Sequence, residues 1–271
     1  MDDVIVFDIE TQKSFDEVGG RRNLHLLGIS VLAAYSYNRE KTFVFEEKNL
    51  SQFKKMLENC GLLVGFNSEG FDIPILQSYG FDLSRVPSLD LMKDIKTGAG
   101  FRISLDNIAG ATIGTKKSAS GLLALQWYKE GKIEEIKKYC VKDVLITKQV
   151  YDFGKSNNFV FFINREKEKI AIPVYWAKEK QKEIREILEE AYKLRKRVEI
   201  EYITGRQSAD GLNGVKNVRL IDIYGIRHGI VEGYCHLRKE KRMFKADRII
   251  SARISAETYK IKEDAQDSLF F

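Results

Sequence analysis

Residues 4–10 run Val-Ile-Val-Phe-Asp-Ile-Glu, and this short stretch constrains the fold more than any other in the chain. A brief apolar run rich in β-branched residues is the pattern of a strand covered on both faces. Asp8 and Glu10 stand two apart at its far end, so both carboxylates leave the same face. Two such carboxylates are costly beside a buried strand unless something neutralises them. A divalent cation is the natural partner, and hard oxygen donors select Mg2+ or Mn2+ over zinc. A strand end that simply reaches solvent is the plainer alternative.

Further strands and helices follow to cover that first strand. Leu26 to Tyr37 and Thr42 to Phe45 are strand-like, and Asn38-Arg39-Glu40 between them can turn a hairpin. Leu50, Phe53, Met56 and Leu57 keep helical spacing behind Asn49, which reads as an N-cap. Leu62 to Phe66 is another strand. Pro74 suits the first turn of the next helix and Gly80 its end. Val86 to Leu91 reads as a short strand. Ser104 caps a small helix through Gly110, and longer helices follow over 121–128 and 133–153. Strands alternating with helices after an initial hairpin give an α/β fold with a mixed central sheet flanked by helices. A hairpin over 159–163 and 170–175 finishes this part.

The pattern then changes. Lys178 to Lys196 is charged, with Ile184, Ile187, Leu188, Ala191 and Leu194 on one stripe, as in an amphipathic helix. After it come only short alternating segments, at 198–202, 218–223, 229–234, 243–244 and 249–250. Glycine and asparagine cluster between them at Gly205 and over 210–214. That is the pattern of a small β-barrel. A length of 271 residues suits about two domains. The expected division is 1–176, a linking helix 177–196, and a barrel 197–271.

Charge follows the same division. Residues 1–176 are almost neutral, whereas 191–260 hold 16 Lys+Arg against 8 Asp+Glu. A basic block of this kind attracts polyanions, nucleic acid above all, with a solvated lysine-rich surface as the alternative. Met1-Asp2-Asp3 lacks the basic start of a signal peptide. No window approaches the ~18 apolar residues of a membrane span. Cys60, Cys140 and Cys235 are too dispersed for a metal clip. A reduced, cytoplasmic protein without membrane association is expected.

Two later segments join the first pair of acids. Asp72 closes Gly65-Phe66-Asn67-Ser68-Glu69-Gly70-Phe71-Asp72, between a buried strand and a helix. Tyr139 and Asp143 stand at i and i+4, on one helical face. A phenol held near a metal can orient an attacking water and assist its deprotonation. D-x-E, N-x-x-x-F-D and Y-x-x-x-D, in this order, resemble the three motifs of the 3′–5′ exonucleases with four acidic residues and a tyrosine (the DEDDy type). These belong to the ribonuclease-H-like superfamily. The stretch 88–153, with Leu105-Asp106-Asn107, Lys117 and Tyr-Cys-x-x-Asp-Val, is most similar to a predicted bacterial exonuclease branch.

The resemblance covers residues 1–176. It implies that Asp8, Glu10, Asp72 and Asp143 hold two Mg2+ or Mn2+ ions for in-line phosphodiester hydrolysis. It assigns the water-positioning role to Tyr139. Asn67 and Phe71 are expected substrate contacts, and so is Lys117, from a small basic loop over 114–118 that could touch a phosphate backbone. A sister subtype uses histidine on this helix, but His25, His228 and His236 all lie elsewhere. Glu69 could reach the metals but is expected to face solvent, and Asp90 could support the site from behind its ligands but is expected to end a strand.

Residues 185–262 resemble a WYL domain, a small Sm-like barrel. The resemblance rests on Val198-Glu199-Ile200-Glu201-Tyr202, Val218-Arg219, Val231-Glu232-Gly233-Tyr234-Cys235, Arg242-Met243-Phe244 and Asp247-Arg248-Ile249. The name-giving tryptophan is absent, and Asp222 replaces a usual proline. The resemblance implies that Arg219, Arg242 and Arg248 converge on an anionic ligand and that Tyr202 or Tyr234 stacks on a base. Tyrosines filling the core and arginines paired with Glu232, Glu240 or Asp247 are the alternative. The expected function is a metal-dependent 3′–5′ exonuclease on nucleic acid, with single-stranded DNA favoured and RNA open. The rivals are a ligand-responsive regulator with an inactive nuclease domain and a structure-selective endonuclease.

Overall fold

The computed structural model describes residues 2–115, 121–204 and 214–261. The chain divides into two compact units, Met1–Asp152 and Phe153–Phe271. The hairpin expected to close the first domain is thus grouped with the second unit. No helix among the described residues is long and apolar enough to cross a membrane.

In the first unit, β1 (Asp3–Thr11) is followed by the hairpin of β2 (Ile29–Ser36) and β3 (Lys41–Glu46). Then come α1 (Leu50–Leu57), β4 (Cys60–Gly65), α2 (Asp72–Ser78), β5 (Ser88–Asp90) and α3 (Leu91–Ala99). Helices α4 (Leu105–Ile113), α5 (Gly121–Lys129) and α6 (Ile133–Asn157) complete it, the division falling inside α6. The sheet order is β3-β2-β1-β4-β5. β1 and β2 pair antiparallel, while β1, β4 and β5 run parallel, so the sheet is mixed.

Side-chain alternation on β1 divides the interior. Ile5, Phe7 and Ile9 pack with Phe53 and Met56 of α1 and with Ile75 and Leu76 of α2. The opposite face carries Asp8 and Glu10. Helix α5 packs against β1, and Cys140 of α6 reaches Asp8. α6 is anchored at both ends of its first-unit span. Lys137 pairs with Glu46 of β3 at 2.8 Å, and the Tyr37 hydroxyl donates to Asp152 at 2.6 Å.

Several local features differ from the sequence reading. The strand expected from Leu26 begins only at Ile29, because Arg21–Leu26 forms a 3-10 helix. α3 is absent from the sequence-based expectations, although Leu91, Ile95 and Ala99 are spaced for one buried face and Gly100 ends the helix at φ +80. Asn49 makes no side-chain cap to α1; its Oδ1 instead accepts from the Glu46 N–H at 2.7 Å. The last strand extends well beyond Ile249-Ile250.

The second unit opens with the antiparallel hairpin β6 (Phe159–Ile163) and β7 (Lys169–Pro173). Helix α7 (Lys178–Leu194) leads into β8 (Lys196–Ile203), β9 (Lys216–Arg227), β10 (Ile230–Cys235), β11 (Glu240–Lys245) and β12 (Ile249–Thr258). These five strands form an antiparallel sheet in the order β11-β10-β9-β8-β12, with β11 and β12 at its edges. The apolar stripe Ile184, Leu188 and Ala191 of α7 packs on Val198, Ile200, Ile221, Ile223, Val231 and Ile249. β10 shifts register between Glu232 and Gly233. A Cβ at Gly233 would lie 2.2 Å from the Asp222 carbonyl oxygen, so the bulge requires glycine.

Candidate active site

The site forms where β1 outruns its parallel neighbour. β4 pairs with β1 only as far as Val6 opposite Val64. The chain then folds back at Gly65, where a Cβ would meet that of Ser68 at 2.5 Å. Asn67 follows in the left-handed region at φ +68, which asparagine tolerates better than most residues. This turn sets Asp72 at the start of α2. The Ile9 N–H, between Asp8 and Glu10, donates to Asp72 Oδ1 at 3.0 Å. The second motif is thereby tied to the first through a backbone amide.

Asp72 and Asp143 are each 3% exposed, and Glu10 9%. Burial, and then the neighbouring Asp8 carboxylate, push Asp72 well above the usual carboxylate range. Asp143 lies one turn along α6 from Tyr139. The Tyr139 ring is buried, edge-on to Trp127 at 6.2 Å between centroids. Cys140 is fully buried, with Sγ 3.4 Å from the Asp8 carbonyl oxygen and 3.8 Å from Asp8 Oδ2. Burial raises its thiol well above the ordinary range, and the charges of Asp8, Glu10 and Asp143 add to this. Ligating atoms of Asp8, Glu10 and Cys140 all lie within 4.8 Å of one another. Cys140 is not among the site residues expected from the sequence. The available signal was its i, i+3 spacing to Asp143, which places both on one side of the helix.

Asp90 has a larger part than a strand end. It is buried and accepts from the backbone N–H of Asn67 at 2.8 Å and of Glu69 at 3.1 Å. It also caps α3 through Met92 and Lys93. One carboxylate therefore holds the turn before Asp72 and starts the next helix. Glu69 turns away to pair with Lys93 and Ser88. Phe71 packs edge-on to Phe15 at 5.8 Å, and Arg21 lies over Phe15. Lys117 lies outside the described residues.

Residues 5–153, more than half of the chain, match the sequence profile of the RNase H superfamily. The chain belongs to the RNase H superfamily. Within this RNase H superfamily member, the matched region holds all four motif acids and Tyr139. A family B DNA polymerase from the hyperthermophilic archaeon Pyrobaculum calidifontis is similar at 20% identity and a TM-score of 0.44. The match covers 56% of this chain and 24% of the polymerase, so the chain spans about a quarter of that protein's length. No curated protein matches the chain.

The second unit of this RNase H superfamily chain distributes its candidate residues unevenly. Arg219 is only 3% exposed, and its Nε and Nη1 have no hydrogen-bond partner among the described residues. Arg242 pairs with Glu240 at 2.8 Å. The strand register sets Arg242 opposite Gly233, which pairs with Ile223, four residues along β9 from Arg219. Arg248 ends a short 3-10 turn before β12 and is partly exposed. Tyr202 packs edge-on to Phe244 at 5.2 Å beside the core, and Tyr234 is edge-on to His236.

Proposed function

We propose that the chain is a metal-dependent 3′–5′ exonuclease of the four-acid-plus-tyrosine type, acting on nucleic acid with single-stranded DNA favoured. The observation that carries this reading is the buried Asp72 carboxylate bonded to the β1 amide between Asp8 and Glu10. A carboxyl pushed upward by burial and then by its acidic neighbour is a charge cluster that a divalent cation relieves. The donor set fits a hard cation, since carboxylate oxygens suit Mg2+ and Mn2+. Asp8, Glu10, Asp72 and Asp143 are the residues that would hold two such ions. When bound, these ions supply Lewis-acid stabilisation of the phosphoryl oxygens and a more acidic water.

The chain's own residues do the rest. The Tyr139 phenol, one helical turn from Asp143, orients the attacking water and helps take its proton. Trp127 holds the Tyr139 ring in place. Asp90 fixes the turn that carries Asn67 and Phe71, the proposed substrate contacts. For the second unit we propose a WYL-type nucleic-acid or ligand-binding module. A helix leading into five antiparallel strands, with the last returning to pair with the first, supports an Sm-like arrangement. Arg219, Arg242, Arg248, Tyr202 and Tyr234 are its candidate ligand residues.

The test is digestion of 5′-labelled single-stranded DNA, matched RNA and duplex with Mg2+ or Mn2+. A ladder shortening one nucleotide at a time from the 3′ end is expected, strongest on single-stranded DNA. Discrete internal cuts would identify a structure-selective endonuclease instead. Oligonucleotide binding without hydrolysis in either metal would identify a regulator with an inactive nuclease domain.

A further inference from the structure

Resting on the reading of the acidic cluster as a metal centre, we infer that Cys140 is a donor to it. A thiophilic divalent ion such as Zn2+ is held by Asp8, Glu10 and Cys140 together, a mode that Mg2+ and Mn2+ do not use. The geometry comes first. α6 presents Cys140 between Tyr139 and Asp143, and its sulfur reaches both the carbonyl oxygen and the carboxylate of Asp8 on β1. Ligating atoms of the three residues lie within 4.8 Å of one another. Among the described residues, no other group of three or more His, Cys, Asp or Glu side chains comes so close.

Zinc–ligand bonds of about 2.0–2.3 Å put tetrahedral neighbours about 3.3–3.8 Å apart. Side-chain shifts on the order of one ångström therefore close the triad on an ion. The chemistry favours a particular class of ion. Soft sulfur adds little to a hard cation, but it strengthens binding of zinc, cobalt and cadmium. A coordinating thiol loses its proton outright. The S–H bond breaks, the proton leaves to buffer, and the sulfur electron pair forms the metal–sulfur bond with no change of oxidation state. Asp8 and Glu10 belong to both donor sets, so zinc held in this mode excludes the hydrolytic ions. Cys140 is thus a selectivity residue, through which zinc acts as an inhibitor.

The experiment titrates the metal-free, full-length chain with Co2+ and follows the near-ultraviolet sulfur-to-cobalt charge-transfer band. One equivalent of Co2+ should raise the band, and Zn2+ should abolish it. Cys140→Ser should lose the band, whereas Cys60→Ser and Cys235→Ser should keep it. Zn2+ affinity should fall by at least about tenfold in Cys140→Ser, the loss typical of removing even an outer partner of a ligand. Mn2+ affinity should move far less. Wild-type Co2+ binding without a sulfur band overturns the inference while leaving the acidic site standing, and this needs no variant to fold. A band that survives in both Cys140→Ser and Cys140→Ala overturns it as well. Failure of Co2+ and Mn2+ alike to bind overturns both this inference and the metal reading beneath it.

Discussion

Tyr139 and Asp72 are the residues where the proposed chemistry is most exposed to test. The Tyr139 ring is held by packing, so Tyr139→Phe removes one hydroxyl and little else. Turnover should fall by about 10²–10⁴-fold, the range for lost general acid–base assistance, with the Michaelis constant nearly unchanged. Steady-state kinetics check this, and a rise in the Michaelis constant alone would make Tyr139 a stacking residue. Asp72 predicts a pH dependence. Its folded pKa is raised above the unfolded value of about 3.9, so the folded state binds its proton more tightly. Its contribution to metal-free stability is therefore full below the ordinary carboxylate range and is lost progressively as pH rises toward the raised value. Measured in chelator against Asp72→Asn, the wild type should therefore lose melting temperature from acid to neutral pH. A mutant profile parallel to the wild type would sink the assignment of the effect to Asp72.

Among the elements, the turn between β4 and α2 depends on a residue from a third place, Asp90. Asp90→Ala would remove a helix cap, worth about 0.5–2 kcal/mol. It would also strand the Asn67 and Glu69 amides, each at about 1–3 kcal/mol if buried. A clear drop in melting temperature together with loss of hydrolysis is expected, and an unaltered melting curve would refute the role. The sequence displayed some of this and hid the rest. β1, the β2–β3 hairpin and α6 were legible because their hydrophobic periods are long and unmixed. α3 is hard to see in the sequence because Leu91 ends one apolar run and begins another, so strand and helix share a boundary. β12 looks short in the sequence because Arg253, Ser255 and Glu257 interrupt its apolar residues. Its length comes from pairing with β8, which no local pattern records. The parity of β9 was equally hidden. Val218 is 53% exposed and Arg219 is buried, the reverse of what hydropathy favours, because register decides the face.

For the molecule as a whole, charge is segregated along the chain, with the excess of base confined to the second unit's sequence. If that excess grips a polyanion, binding releases counterions, and the logarithm of affinity should fall by about 0.7 per phosphate contact against log salt for a single strand. Binding of single-stranded oligonucleotide by the full chain in chelator should therefore weaken steeply with salt. Changing Arg242 and Arg248 together to Ala should lower the slope. Arg219 is a poorer probe, since its burial mixes binding with folding. A slope unchanged in the double variant would move the contact elsewhere on the second unit.

The early parting of β4 from β1 also bears on how such a site tolerates change. Which atom answers the Ile9 amide is set by where a neighbouring strand stops, at the pairing of Val6 with Val64. Lengthening that pairing by a step or two would give the amide a backbone carbonyl and leave the Asp72 carboxylate without its anchor. Substitutions spare this arithmetic, whereas insertions and deletions between Gly65 and Asp72 change it at once. The spacing of the second motif is therefore a ruler laid along the strand, and its length is as much a part of the proposed site as the acids it positions.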